Sequence, residues 1–222
     1  MKLRLHNYWR SSASYRVRIG LAWKGLAYDY VAIDIVRGGI EHKGGQHDAE
    51  YRARNPMGQV PLLELIEDDG TELGLVQSLP IVEYLDERWP TPPLLPATRE
   101  GRAQARALAE IINAGIQPLQ NLPVTKRVVK LGGDDRAWVA DFVRSGLTAF
   151  DAQAARSAGR FCVGDAPTIA DCCLVPQLYS ARRFGVDPAA WPRLVAIEAA
   201  CAELSGFQSA HPDRQPDAVA PV

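Results

Sequence analysis

The sequence has no long apolar run, no long run of one charge and few aromatic residues. Aromatic residues make up 8% of the 222 positions, and 25 basic residues balance 26 acidic ones. No segment approaches the roughly 20 apolar residues of a transmembrane helix, and residues 1–6 lack the apolar part of a signal peptide. No basic patch marks a nucleic-acid site. We therefore expect a cytoplasmic globular protein that binds neither membrane nor nucleic acid.

Cysteine is also scarce, and all of it lies in the second half of the chain. The four cysteines form no CxxC pair and have no histidine beside them at metal-ligand spacing. We therefore expect no metal site, and we interpret the cysteines as buried thiols that fill the core. They are Cys162, Cys172, Cys173 and Cys201.

The first ninety residues alternate strand-like and helix-like patterns. Residues 3–8 and 28–33 read as strands on either side of an amphipathic helix, which predicts a parallel βαβ unit. Residues 60–65 and 72–76 read as two strands joined by an Asp-Gly turn, and such a pair is antiparallel. Ser78 is expected to cap the helix that follows. The predicted order is βαβ followed by ββα in a mixed sheet.

A proline-rich segment at residues 90–96 separates this half from a helix-forming half. We therefore expect a first domain at 1–89, a linker at 90–96 and an all-helical domain at 97–222. The final residues, from His211, contain several prolines and predict an extended tail that either lies on the surface or is partly mobile.

Three helices are predicted in the second half. Apolar residues recur at helical spacing within residues 103–116, and again after a capping residue at Asp134 or Asp135. A third helix follows Thr168, because Thr168 and Asp171 resemble a capping box with aspartate in place of glutamate.

Three serines stand where the first strand gives way to the first helix. The first N–H groups of a helix lack intrahelical partners and the helix dipole is positive there, so Ser11, Ser12 and Ser14 surround a natural site for a thiolate or other anion. The alternative is that Ser11 or Ser12 is an ordinary N-cap. The residues alone leave both interpretations open.

Two further features have a similar double interpretation. A cis peptide bond before Pro61 would turn the N–H and C=O of Val60 outward as a peptide-binding edge, although proline is also common at the start of a strand. Gln77 and Ser78 begin a second helix directly after a strand, where they either cap it or bind a carboxylate. Together, these features fit a short peptide with an anionic end and a thiolate, a description that glutathione meets.

The motifs themselves have a close counterpart. Residues 11–19 read SSASYRVRI and resemble the SSCSxRVRIAL signature of the zeta-class glutathione transferases, the family of maleylacetoacetate and maleylpyruvate isomerases. The Ser-Ser motif and the Gln-Pro-Leu-Gln-Asn motif are typical of this class, whereas the Gln-Ser and Val-Pro motifs occur in most glutathione transferases. Similar segments cover nearly the whole chain, at residues 55–61, 77–79, 116–122, 163–177 and 211–217.

This resemblance implies a thioredoxin-like N-terminal domain, a glutathione-transferase-type helical C-terminal domain, and a homodimer that binds one glutathione per subunit. Ser11 would donate to the glutathione sulfur, assisted by Ser12 and by the helix start at Ala13. Val60, next to Pro61, would pair with the glutathione backbone. The remaining contacts implied by the resemblance are Gln77 and Ser78 at the γ-glutamyl end, and Gln46, Gln117 and Asn121 closing over the ligand.

Two positions depart from the family pattern. Ala13 stands where the family usually has cysteine, so no thiol is available there and position 13 has no covalent role. Pro123 follows Asn121-Leu122 where serine is more usual, which removes one hydroxyl group. The nucleophile must therefore come from bound glutathione.

The implied reaction is cis-trans isomerisation of a small maleyl dicarboxylate, in which the glutathione thiolate adds, the bond rotates and the thiolate leaves. A cation must hold the substrate carboxylate and the growing negative charge. Arg10 is the first candidate, Arg183 the second and Arg182 the third, and the alternative is that these arginines only cover surface apolar groups.

Maleylacetoacetate, from tyrosine and phenylalanine breakdown, is the substrate that we expect. Maleylpyruvate from gentisate-type degradation is a close alternative, and removal of halogen from small α-haloacids is another. A non-catalytic binding protein with this fold is the alternative from outside the enzymes. Retention of Ser11, Ser12 and the Val60-Pro61 pair argues against it.

Overall fold

The computed structural model describes residues 1–36, 45 and 47–219. They form two compact units. The first comprises residues 1–92 together with the segment from Ser205 onward, and the second comprises residues 93–204. The first change of unit falls within residues 90–96, and the segment from Ser205 onward is grouped with the first unit and not with the helical half. In the structure that segment packs with the first unit.

The first unit is built on a four-stranded sheet in the order β2-β1-β3-β4. The strands are β1 (Lys2–Asn7), β2 (Asp29–Ala32), β3 (Leu62–Ile66) and β4 (Glu72–Val76). β1 and β2 are parallel, and β3 is antiparallel to both β1 and β4. The predicted βαβ unit and the predicted hairpin are therefore confirmed.

Helices occupy both units. The first unit has α1, α2, α3 and α9, with α1 packed against α3 and α9. The second unit has α4 to α8, with α4 packed against α6 and α7. Their bounds are α1 (Ser12–Trp23), α2 (Ala49–Arg54), α3 (Ser78–Arg88), α4 (Arg99–Asn113), α5 (Leu122–Lys130), α6 (Asp135–Ala154), α7 (Ile169–Arg183), α8 (Pro192–Ala202) and α9 (Ser205–Ala210).

The three predicted helices of the second half are present as α4, α6 and α7. Asp134 is the N-cap of α6 and accepts from the backbone N–H groups of Arg136 and Ala137. Thr168 and Asp171 form the predicted capping box at α7. The short helices α2, α5 and α9 were missed, as was α8. In α2 the reason is plain, because Tyr51 is its one buried residue and a single apolar contact leaves no periodic pattern.

The C-terminal segment differs from the extended tail that the sequence predicts, because part of it is folded and buried. A 3₁₀ turn spans Pro212–Arg214, and Gln215 beyond it is buried. The side chain of Gln215 donates to the carbonyl oxygens of Ser209 and His211 at 2.9 and 2.8 Å, so a polar residue anchors the segment.

The four cysteines are buried thiols, as expected. Burial raises the pKa of the Cys162 thiol well above its ordinary value. Burial also raises the pKa of the neighbouring Asp171, although hydrogen bonds from Cys162 and Thr168 oppose that rise. Among the described helices, none combines the length and the apolar character needed to cross a bilayer.

Candidate functional site

The register of the sheet brings three predicted features to one edge of the first unit. His6, near the end of β1, pairs with Leu62 at the start of β3, and Leu62 pairs with Val76 at the end of β4. The start of α1 follows β1, the Val60-Pro61 pair precedes β3, and Gln77 with Ser78 follows β4. All three therefore lie at the same end of the sheet.

Ser11 is the N-cap of α1. Its hydroxyl oxygen accepts from the N–H of Ser14 at 3.2 Å, which leaves the hydroxyl hydrogen to be donated elsewhere. Within the described residues, the N–H groups of Ser12 and Ala13 in the first turn have no hydrogen-bond partner. The capping and anion-binding interpretations of Ser11 are thus compatible, because one uses its oxygen lone pair and the other its proton.

Val60 presents an unpaired stretch of backbone. The peptide bond between Val60 and Pro61 is cis, which is the first of the two alternatives above. Within the described part of the chain, neither the N–H nor the C=O of half-buried Val60 has a hydrogen-bond partner. The preceding carbonyl, that of Gln59, accepts from the Tyr51 hydroxyl at 2.5 Å and from the Asn55 side chain at 2.6 Å. The loop is therefore held by α2 and its C-cap while the Val60 backbone stays available to a ligand.

The start of α3 corrects one prediction. Gln77 is the N-cap, and Ser78 is the first helical residue. Gln77 has φ 70° and ψ 126°, a conformation that non-glycine residues rarely adopt and that clusters at functional sites. Its side chain is exposed and makes no capping hydrogen bond. Ser78 is buried, and its hydroxyl accepts from the Arg16 guanidinium at 3.2 Å.

The spacing of these features suits a tripeptide. Two strand spacings separate β1 from β4, a distance of about 10 Å, and an extended tripeptide reaches about the same length. The three binding positions then follow the order of strands β1, β3 and β4 at this end of the sheet. They are a thiolate at the start of α1, a main chain against Val60 and a carboxylate at the start of α3. The donor set of the first unit therefore fits glutathione.

The second unit has a polar group of its own. Gln117 lies in a 3₁₀ helix (Gln117–Gln120), and its amide nitrogen donates to the Asn121 side chain at 2.8 Å. The same 3₁₀ helix is anchored to α7 because Gln120, its last residue, and buried Gln177 exchange hydrogen bonds at 3.3 and 3.1 Å. This anchor was not predicted. Gln46, by contrast, lies outside the described residues.

The three candidate arginines have different surroundings. Arg182 forms a two-pronged ion pair with Glu198 at 2.6 and 2.5 Å, and that pairing raises the pKa of Arg182. The guanidinium of Arg183 stacks on the ring of Phe184 at 5.2 Å. Arg10 stacks on Trp9 at 5.2 Å and makes no ion pair with any described residue. The charge of Arg182 is thus already balanced, whereas Arg10 can meet an anionic ligand.

Comparison with known proteins identifies the family. A model of the glutathione S-transferase N-terminal domain matches residues 5–93, and one of the C-terminal domain matches residues 136–199. A maleylacetoacetate isomerase from Rhizobium meliloti is 47% identical over 95% of this chain and 96% of its own length. A bacterial maleyl pyruvate isomerase described as a zeta-class glutathione S-transferase is 38% identical, with a TM-score of 0.86 over 97% of this chain and 100% of its own. The chain belongs to the zeta-class glutathione transferase family.

Another relative of this zeta-class chain has been solved with ligands. Maleylacetoacetate isomerase from Anaeromyxobacter dehalogenans, with glutathione bound in its active site, is 53% identical with a TM-score of 0.88 over 98% of both chains. A second structure of that enzyme, at 50% identity and a TM-score of 0.86 over 98% of both chains, has dicarboxyethyl glutathione and citrate in the active site. The predicted family and fold class are confirmed.

The supporting residues of this zeta-class site were not predicted. The Arg16 guanidinium donates to the Ser78 hydroxyl. The Tyr51 hydroxyl and the Asn55 side chain both donate to the Gln59 carbonyl. Arg16 is fully buried, and the sequence does carry a signal for this, since the arginine sits among the apolar residues of α1. A buried arginine on an apolar helix face requires hydrogen-bond acceptors. Its presence in the sequence therefore indicates a buried polar site nearby.

Proposed function

We propose that this protein is a glutathione-dependent cis-trans isomerase that converts maleylacetoacetate to fumarylacetoacetate. One observation carries the proposal: polar groups suited to a sulfur anion, a peptide backbone and a carboxylate lie at one end of the sheet, next to β1, β3 and β4 in turn. This is the order that glutathione requires. Relatives named as maleylacetoacetate isomerases support the substrate class. So does dicarboxyethyl glutathione in one of them, a ligand whose name joins glutathione with two carboxylates.

The residues at the start of α1 would stabilise the sulfur anion. The Ser11 hydroxyl donates one hydrogen bond, and the N–H groups of Ser12 and Ala13 together with the helix dipole favour negative charge at the same point. Bound glutathione supplies the thiolate that adds to the maleyl double bond, allows rotation and leaves. Ala13 carries no thiol, so the chain holds the nucleophile and does not provide it.

The other residues orient the two reactants. The backbone of Val60 beside Pro61 pairs with the glutathione backbone, and Gln77 and Ser78 hold the γ-glutamyl carboxylate at the start of α3. Arg10 holds a substrate carboxylate and offsets the charge that develops during addition. The remaining assignments are Arg183 as the second cation, Arg182 as the third, and Gln46, Gln117 and Asn121 as contacts that close over the ligand.

A homodimer and a cytoplasmic location complete the proposal. The family supports the first, and the four buried thiols suit the reducing conditions that support the second. Light scattering on the purified protein tests the dimer, with an expected mass of twice 24.3 kDa. A mass of 24.3 kDa that does not change with concentration would contradict it.

Maleylpyruvate is a second candidate substrate. The maleyl pyruvate isomerase described above, with its TM-score of 0.86, favours it. The two substrates differ in the length of the ketone chain, and a pocket discriminates such differences by about 10- to 200-fold per methylene at most.

Kinetics with both maleyl substrates, with and without glutathione, test the proposal. We expect glutathione-dependent turnover of both and a higher kcat/KM for maleylacetoacetate. The Ser11→Ala variant should lose about 100-fold in kcat/KM. An unchanged Ser11→Ala enzyme would overturn the thiolate assignment, whereas turnover of neither substrate, or of an α-haloacid alone, would overturn the isomerase itself.

A further inference from the structure

Arg18 is a buried cation that fixes the loop leading into Ser11. It lies on α1 with 1% exposure. Its guanidinium donates to the Asn7 side chain at 3.0 Å and to the carbonyl oxygens of Trp9 at 2.8 Å and Tyr8 at 3.4 Å. A fourth bond, from Nε to the carbonyl of Ala210 at 3.1 Å, reaches the end of α9. One side chain therefore joins the end of β1, the loop and the C-terminal segment.

Asp217 approaches the same loop from the C-terminal segment. Its Oδ2 accepts from the backbone N–H of Trp9 at 3.1 Å, and its Oδ1 accepts from the Tyr30 hydroxyl. Trp9 is thus held at both of its backbone polar groups, with Arg18 on the carbonyl and Asp217 on the N–H. The peptide that is fixed in this way directly precedes Arg10 and Ser11.

Asp217 also interacts electrostatically with Arg18. Burial lowers the pKa of Arg18, and electrostatic interactions with nearby tyrosines and, to a smaller extent, with the carboxylate of Asp217 oppose that effect. Carbonyl oxygens satisfy the hydrogen bonds of a buried guanidinium but do not neutralise it. Asp217 supplies negative charge beside Arg18 while also binding the loop that Arg18 binds.

We propose that Asp217 is a positioning residue for the sulfur site: it fixes Trp9, and through Trp9 it sets where the Ser11 hydroxyl and the first turn of α1 meet the glutathione sulfur. This inference rests on the proposed function, because it assumes that glutathione sulfur binds at Ser11. The C-terminal segment is then part of the active-site structure, although it is far from Ser11 in sequence.

The test compares Asp217→Ala and Asp217→Asn with the unmodified enzyme. The pKa of the bound glutathione thiol is read from the ultraviolet absorbance of the thiolate as pH is varied, beside kcat/KM and Tm. Displacement of Ser11 should raise the thiol pKa in both variants, and it should lower kcat/KM about tenfold for Asp217→Ala. An asparagine side chain can still accept from the Trp9 N–H, so the decrease in kcat/KM should be smaller for Asp217→Asn. Removal of a negative charge alone would lower the thiol pKa, which is the opposite sign.

Asp213→Asn is the matched control, because Asp213 is an exposed aspartate of the same segment. It should keep the thiol pKa and kcat/KM of the unmodified enzyme. Tyr30→Phe removes one hydrogen bond to Asp217 and provides a second test if the Asp217 variants fold poorly, with an expected smaller rise in thiol pKa.

A lower Tm with an unchanged thiol pKa in these variants would show that Asp217 only stabilises the fold, and the proposal would be wrong. The Ser11→Ala variant separates this failure from that of the proposed function. If Ser11→Ala raises the thiol pKa and Asp217→Ala does not, the positioning role alone fails. If neither raises it, the sulfur site itself is misplaced.

Discussion

Ser11 uses one hydroxyl group for two purposes. Its oxygen caps α1 through the N–H of Ser14, and its proton is available for a sulfur anion. Because the same hydroxyl group contributes to stability and to binding, Ser11→Ala should reduce both. An N-cap serine contributes about 1 kcal/mol, so a loss of activity in that variant needs a control in which the cap is kept.

Ser11→Asp is that control. Aspartate is an equally good N-cap, so the free energy of unfolding should stay within about 0.5 kcal/mol of the unmodified protein. Its negative charge next to the sulfur should raise the thiol pKa of bound glutathione and lower kcat/KM more than Ser11→Ala does. Denaturant unfolding and thiolate absorbance measure the two effects. A stable Ser11→Asp enzyme with normal activity would show that Ser11 is a cap and nothing more.

Arg182 and Arg183 are neighbours with different expected roles. Arg183→Ala should raise the KM for the maleyl substrate about tenfold, since one charge-assisted hydrogen bond contributes roughly 1.5–3 kcal/mol. Arg182→Ala should leave KM within about twofold and lower the free energy of unfolding by about 1 kcal/mol, because Arg182 is about half exposed in its ion pair with Glu198. Steady-state kinetics at varied substrate concentration decide the matter. A larger KM effect for Arg182 would reverse the two assignments.

The start of α3 combines strain with function. Gln77 adopts φ 70°, a conformation that is unstrained for glycine. For glutamine, the same conformation costs about 1–3 kcal/mol in backbone strain. Gln77→Gly should therefore not lower the free energy of unfolding and should raise it by up to about 1 kcal/mol, after the entropy cost of glycine is subtracted. The same variant should raise the KM for glutathione, because the side chain is lost. A destabilised variant with unchanged KM would show that the conformation serves the helix and not the ligand.

Glu64 ties β3 to β1 and α2. It accepts from His6 at 2.8 Å and from Arg54 at 2.5 Å, and it is close to Arg4 at 3.3 Å. Burial alone would raise the pKa of Glu64, but the hydrogen bonds from His6 and Arg54 outweigh burial and lower it. A carboxylate whose pKa is lower in the folded state stabilises the protein above its unfolded pKa of about 4.3, and that contribution is lost as pH falls through the folded value.

Glu64→Gln should therefore weaken the fall of Tm with decreasing pH below about 4.3, while Tm near pH 7 drops. Thermal unfolding between about pH 2.5 and pH 7 measures both trends. Glu67→Gln is the control, because Glu67 pairs with Arg88 at a more exposed position. If the acid dependence of Tm is the same in Glu64→Gln and in the unmodified protein, the network around Glu64 does not contribute in this way.

Much of the fold and part of the site could be predicted from the sequence. Alternation and turn chemistry predicted all four strands of the described sheet, since each strand pattern spans only a few neighbouring residues. Capping chemistry likewise located the starts of α6 and α7. Contacts between residues far apart in sequence were not predicted, among them Asp217 to Trp9 and Arg16 to Ser78. Such pairs form only once the register of the sheet has brought their elements together, and single positions carry no signal of their partners.

The most direct test of the proposed reaction follows the protons of substrate and glutathione together by NMR during turnover. With maleylacetoacetate and substoichiometric glutathione, we expect complete conversion of the cis olefinic signals to those of the trans fumaryl product. The glutathione signals should be unchanged at the end, because the thiolate is released in each cycle. Conversion that proceeds equally well without glutathione, or that consumes one glutathione for each product, would contradict the account.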